Sequence, residues 1–304
     1  MDTVSGTLAP LTALPLGPLG SGFLLEGPFT PAMAAAGGLG RTALERLHRE
    51  GRVRRLLRGV YVDATVPLSE SVRAQALALL VRDRQVVVGA TAAWLYGVEL
   101  PRTDPQAPMP VEVQGRPRAG RVGRPVRCIA RDLQTVHGVV CTTPLRTALD
   151  LGRELAPDRA LPALDGLLRV GGFSHAALLA ELPRFAGQPG VGQLRELAAL
   201  CDGRARDAAE SVLRLRWLHG RLPTPTPGLP VPGHGGHRLA LGLEGHRFGA
   251  VLAGRLPGAV LTALSAHGWR VVELGADRVL RADAALVTAH LEREFHLHLL
   301  DQVG

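Results

Sequence analysis

The stretch that most constrains this chain runs from Leu39 to Val62, LGRTALERLHREGRVRRLLRGVYV. Gly40 interrupts the backbone ahead of Arg41. Ala43, Leu44 and Leu47 then recur on one helical face, and Gly51 supplies a C-terminal stop. The spacing predicts a short amphipathic helix. Val53 and Leu56, then Val60 and Val62, read as two short strands with Arg58-Gly59 at the turn. Upstream, Phe29 to Gly37 is alanine-rich and reads as a supporting helix that stops at Gly37-Gly38. Helix, turn, second helix and basic hairpin follow one another in the order of a winged helix-turn-helix.

Charge sharpens that expectation. Arg41, Arg46, Arg49, Arg52, Arg54, Arg55 and Arg58 are offset only by Glu45 and Glu50. With Leu44 and Leu47 turned inward, Arg41, Thr42, Glu45 and Arg49 face outward, with Arg46 beside them. A helix presented this way suits the major groove, where arginine binds guanine through two hydrogen bonds. Hairpin arginines, here Arg54, Arg55 and Arg58, suit the phosphates or the minor groove. The competing reading is a solvated basic helix in a protein rich in arginine throughout. Clustering on an element of the right shape favours DNA.

Total charge says less than its position. The 304 residues carry 35 basic and 27 acidic side chains, a net charge of +8, and every basic residue is arginine, with no lysine and no asparagine. That bias matches a GC-rich coding sequence, so excess charge alone is weak support for a polyanionic partner. Cys128, Cys141 and Cys201 show no C-x-x-C spacing, which argues against a disulfide framework or a zinc site and for a reducing, cytoplasmic setting. Residues 1–27 are apolar and rich in Pro and Gly, with Asp2 where a signal peptide needs positive charge. They read as a flexible tail. No run approaches the ~20 unbroken apolar residues of a membrane span.

The length allows two or three domains. Residues 28–66 form the expected winged helix. A small α/β unit follows over 67–155. Its elements are a helix from Pro67 to Arg82, a strand at Val86–Val88, a helix from Ala90 to Tyr96 and strands at Pro110–Val113, Val126–Ile129 and Val136–Cys141. A helix opening at Thr143-Pro144 closes it. Periodic leucines over 156–204 predict a helical connector. Residues 205–304 read as a helix (Ala205–Arg221), an extended proline-rich segment, and strands at Arg238–Leu243 and Arg247–Ala253. A helix at Ala259–His267, a strand at Trp269–Leu274 and a final helix at Asp283–Leu300 complete them. The fold class is α+β or α/β multidomain.

Two stretches resemble known families. Residues 29–62, together with VVVGATAAWLYGV and VVCTTPLRTALDLGREL, resemble the AbiEi family of type IV antitoxins. That resemblance implies an N-terminal winged helix joined to an α/β domain, repression of the protein's own operon, and a nucleotidyltransferase toxin as a possible partner. The C-terminal hundred residues resemble the endonuclease domain of very-short-patch-repair-like proteins, a restriction-endonuclease-like fold. Such a domain carries a helical Glu, then R-L-D-L and V-E-Y-D-G on successive strands, whose carboxylates hold a magnesium ion. Here Glu210 is the helical Glu, but Ala240, Val251 and Ala253 stand where the strand carboxylates belong. One carboxylate cannot hold the ion, so the resemblance implies a degenerate, non-enzymatic domain without a cofactor.

Other candidate sites are weaker. His290, Glu294 and His298 share a helix face at metal-ligand spacing, and a solvated face is the preferred reading because no further ligand is evident. His234 and His237, in GHGGH, read as a flexible loop able to bind metal only adventitiously, and Gly233 to Gly236 is too short for a phosphate-binding loop. Three functions follow, in order: a DNA-binding regulator, a metal-dependent nuclease using carboxylates such as Glu244 or Glu273, and an antitoxin whose basic hairpin binds a toxin instead of DNA. The partners expected are double-stranded DNA and possibly the toxin, with no membrane. The oligomeric state is not legible.

Overall fold

A computed structural model describes residues 27–82, 85–102, 108–115 and 128–303. The expected tail lies, save for Gly27, outside these residues. The chain divides into two compact units, one of residues 1–80 with 108–110, the other of 81–107 with 111–304.

In the first unit, Thr30 caps a short helix, α1 (Pro31–Ala36), by accepting from the Met33 amide. A turn through Gly38 leads to α2 (Arg41–Arg49). Gly51 leaves α2 at φ +72°, and Gly59, at φ +79°, turns β1 (Val53–Leu57) back into β2 (Val60–Asp63). Neither angle suits a residue with a Cβ. The antiparallel register pairs Arg54 with Val62 and Arg55 with Tyr61, then slips by one residue before Leu57 pairs with Val60. That bulge turns both Leu56 and Leu57 into the interior. Phe29, Ala34, Leu39, Leu44 and Val53 form the core beneath α2, and Phe29 and Tyr61 exchange backbone hydrogen bonds at 2.8 and 2.9 Å. Ser69 caps α3 (Glu70–Ala78), which belongs to this unit.

The second unit opens with β3 (Gln85–Val87), α4 (Gly89–Leu95), β4 (Val113–Gly115), β5 (Leu133–Val136), β6 (Val139–Thr142) and α5 (Pro144–Glu154). Their sheet has the order β4-β3-β6-β5, with β3 and β6 parallel and the outer pairs antiparallel. The strand expected at Val136–Cys141 is instead the turn and second arm of a hairpin. His137 and Gly138 both take positive φ, +44° and +83°, which suits a two-residue hairpin turn. The strand expected at Pro110–Val113 begins only at Val113. Glu112 is drawn to α4, accepting from the Ala90 amide at 3.0 Å and donating its own amide to Thr91 Oγ1 at 2.8 Å. Of the strand expected at Val126–Ile129, Val126 and Arg127 lie outside the described residues. Ile129 leads into a 3-10 turn, its amide held by Asp132 at 2.9 Å.

Helices α6 (Pro157–Val170) and α8 (Val191–Leu200) then pack against α5, and α7 (His175–Glu181) packs on α8. Gly152 of α5 lets Leu194 and Leu164 approach so closely that a Cβ there would meet Leu194 at 2.7 Å. Helix α9 (Ala208–Leu218) packs on α6 and begins a second sheet system. Strands β7 (Thr226–Pro227), β8 (Leu241–Leu243) and β9 (Phe248–Leu252) form an antiparallel series. Helix α10 (Gly258–Ala266) carries the chain to β10 (Arg270–Leu274), which lies parallel to β9. Helices α11 (Ala276–Arg281) and α12 (Ala284–Val303) close the chain. One apolar cluster joins this sheet to α9 and α12 through Trp217, Phe248 and Phe295, and another joins it to α10 through Val251, Val260 and Leu264.

Candidate nucleic-acid interface

The candidate interface centres on α2. Leu44 is 3% exposed and anchors the helix in the core, while Ala43 and Leu47 are half-buried beside it. At 3.6 residues per turn, Thr42, Glu45, Arg46 and Arg49 fall opposite Leu44, and Arg41 falls on the flank. All five are exposed. Arg41 Nε lies 2.9 Å from Glu45 Oε1, a surface pair that holds the guanidinium along the helix. Arg46 stands 3.7 Å from Glu50, too far for a good hydrogen bond. The outward face anticipated for α2 is therefore where the structure puts Thr42, Arg46 and Arg49.

The hairpin divides its arginines differently. Alternation along a strand sends neighbours to opposite faces, so Arg54 and Arg55 cannot act side by side. Arg54 donates to the Val66 carbonyl, and Arg55 lies over the Tyr61 ring at 5.9 Å. Both are half-buried, and the Nε of each is buried without a hydrogen-bond partner. Arg58, at the turn, is exposed, as is Arg52 ahead of β1. Sequence reading passed over Tyr61. Its ring meets Phe29 at 6.2 Å, His48 at 5.8 Å and the guanidinium of Arg55, while His48 Nδ1 reaches the Val53 carbonyl at 3.2 Å. Tyr61 thus fixes α2 against the hairpin. A lone aromatic opposite an arginine in a two-stranded ladder is the signal that could have found it.

In the second unit, Glu210 on α9 is 4% exposed and held by two protein donors. Its Oε2 accepts from the Arg206 amide at 2.8 Å and from Arg238 Nη2 at 2.9 Å. Ala240 sits in the cluster facing α9, Val251 in the cluster facing α10, and Ala253 is exposed. Glu244 and Glu273 are also exposed and lie on different elements. Among the described residues, no group of three His, Cys, Asp or Glu side chains is placed to hold a metal ion. The His290/Glu294/His298 face is engaged internally. Glu294 takes Arg270 at 2.7 Å, and His298 Nε2 meets the His246 carbonyl at 2.7 Å. His234 and His237 lie in a tight loop that hydrogen-bonds to itself and to Val231. The three cysteines are unbridged, and no helix among the described residues is long and apolar enough to cross a membrane.

Comparison with known proteins places both halves of this picture in context. Residues 25–62 match the family model described as a transcriptional regulator, AbiEi antitoxin, and residues 85–202 match the model of the AbiEi antitoxin C-terminal domain. The second match takes in the small sheet and helices α5 to α8 together. Two curated relatives from Mycobacterium tuberculosis, uncharacterized protein Rv2248 of strain H37Rv and uncharacterized protein MT2308 of strain CDC 1551, are each 31% identical over 268 residues. These alignments cover 83% of this chain and 97% of each relative.

Proposed function

This chain belongs to the AbiEi antitoxin family of transcriptional regulators, and from that membership we propose that it binds double-stranded DNA through a winged helix-turn-helix at residues 28–66. The observation that carries the reading is the outward face of α2, with Thr42, Arg46 and Arg49 exposed opposite the buried Leu44. Arg46 and Arg49 read base edges, Thr42 and Arg41 flank them, and Arg58 lies along the phosphates. Arg54 and Arg55 set the hairpin's shape and contribute charge behind it. A repressor of its own gene works in the cytoplasm, where its DNA is.

Residues 205–304 are assigned to a restriction-endonuclease-like fold that has lost its chemistry. The order helix, three antiparallel strands, helix and parallel strand, from α9 to β10, supports this. Glu210, its one remaining carboxylate, is engaged by Arg238 in an ion pair. Without clustered carboxylates among the described residues, none of these holds a cation to activate water. The purified protein is therefore expected to leave duplex DNA uncut with magnesium or manganese. Metal-dependent nicking abolished by Glu210→Ala would overturn this.

A gel shift against DNA from upstream of the protein's own gene tests the main reading. A discrete complex that resists excess random duplex is expected. Its absence, with capture of a nucleotidyltransferase encoded next door, would move the basic hairpin to toxin binding.

A further inference from the structure

The ground around Glu210 is positive where a nuclease centre is negative. Arg238 holds the Glu210 carboxylate, and Arg206 contributes its backbone amide to the same oxygen. Arg169 reaches the Arg206 carbonyl at 2.7 Å, and Arg255 pairs with Asp207 three residues before Glu210. Arg204 pairs with Asp202 at 2.7 Å. It also neighbours Arg238 across Gly228, where an added Cβ would lie 2.7 Å from Arg238 Nη1 and 3.6 Å from Arg204 Cβ. Arg204, Arg206, Arg238 and Arg255 thus surround three carboxylates.

The layering decides what solvent meets. The side chains of Arg204, Arg238 and Arg255 are 57%, 19% and 40% exposed, against 20%, 5% and 36% for their partners Asp202, Glu210 and Asp207. In each pair the guanidinium is the more exposed partner, by a wide margin for Arg204 and a narrow one for Arg255. Arg206 is exposed, and its guanidinium makes no hydrogen bond or ion pair among the described residues. Arg238 Nη1 is buried without a partner beside Gly228. A surface with this order of charge projects a positive field. Planar guanidiniums offer paired donors that match phosphate oxygens.

We propose that Arg204, Arg206, Arg238 and Arg255 form a metal-independent site for the sugar–phosphate backbone of duplex DNA, a second and sequence-independent contact in the same chain. The choice of DNA as the polyanion rests on the regulator reading above; the site itself rests on the cluster. The site tightens binding to any sequence and leaves the preference for the operator to α2. Joining two contacts on one chain raises the effective concentration of each for the same DNA.

The test uses the full chain with the α2 face weakened by Arg46→Ala/Arg49→Ala, and a labelled duplex of random sequence titrated with salt in EDTA. Binding is expected to persist. Adding Arg206→Ala, which breaks no described pair, flattens the log–log salt dependence by about 0.9, the share of a single phosphate. Adding Arg204→Ala and Arg255→Ala flattens it further, and lysine at all three positions restores most of it, because holding a phosphate needs charge more than shape. Thermal melts confirm that each variant is folded. An unchanged slope and affinity in both alanine variants, or binding that vanishes in EDTA, would overturn the proposal. If operator preference is absent but random-duplex binding still depends on Arg206, recognition by α2 falls and the second site stands. If operator preference is intact and the alanine variants are silent, the reverse holds.

Discussion

In the first unit, Arg46, Arg49 and Arg58 stand exposed, the nearest carboxylate to Arg46 being 3.7 Å away. In the second, Arg146, Arg153, Arg214 and Arg216 are buried against carboxylates. Arg146 meets Asp132 and Asp150 at 2.9 and 2.7 Å, Arg153 meets Glu154 at 2.6 Å, Arg214 meets Asp165 at 2.6 Å, and Arg216 meets Asp158 at 2.7 Å. Phe185 lies beneath the guanidiniums of Arg146, Arg153 and Arg184, 5.5 to 5.9 Å from its ring centre. The chain's only cationic residue type, histidine aside, therefore serves two ends. An arginine buried with its partner cements a core, and an exposed one is available to a ligand. Counting arginines cannot separate these roles; burial and pairing do.

The comparison breaks most visibly where a buried partner is removed. Arg214→Ala leaves Asp165, 1% exposed, as an uncompensated charge inside the second unit. A loss of about 3–5 kcal/mol is expected in a denaturant titration. The equivalent change at the exposed Arg49 should leave the unfolding midpoint where it was. If the two variants unfold alike, the division between cementing and available arginines is wrong.

A pH titration sharpens it next. Burial works against ionisation of Asp132, but hydrogen bonds from Arg184 and the Ile129 amide, with the charge of Arg146, outweigh it and hold its carboxyl below the usual range. A carboxyl lowered in the folded state contributes stability that is complete above its unfolded value, about 3.9. That contribution is lost as pH falls through the lower folded value. Asp132→Asn should therefore lower stability at neutral pH and show a smaller further loss in acid than the parent. A parallel loss for both proteins would mean that Asp132 is not held ionised by its arginines.

What the sequence made legible follows from how local each signal is. The α2 helix and the hairpin were readable because leucine spacing, Gly51 and Gly59 all act within a few residues. The outward face of α2 followed from Leu44 and Leu47. The divided hairpin was not readable, because the commitment of Arg54 to the Val66 carbonyl and of Arg55 to Tyr61 depends on strand register. Val136 to Cys141 misled because a turn made by His137-Gly138 is unusual chemistry for a tight hairpin. The pairing of Glu210 with Arg238 spans 28 residues of sequence and has no local signature.

The most direct measurement is a salt titration of binding to operator and to random duplex, for Arg46→Ala and Arg58→Ala side by side. If α2 reads bases while the hairpin tip lies along phosphates, Arg46→Ala costs about 1–3 kcal/mol on the operator, relaxes its specificity and changes random binding less. Arg58→Ala then weakens binding to both duplexes alike and flattens the log–log slope by about 1. Unchanged affinity for both duplexes in both variants would contradict the account and remove α2 as a DNA reader.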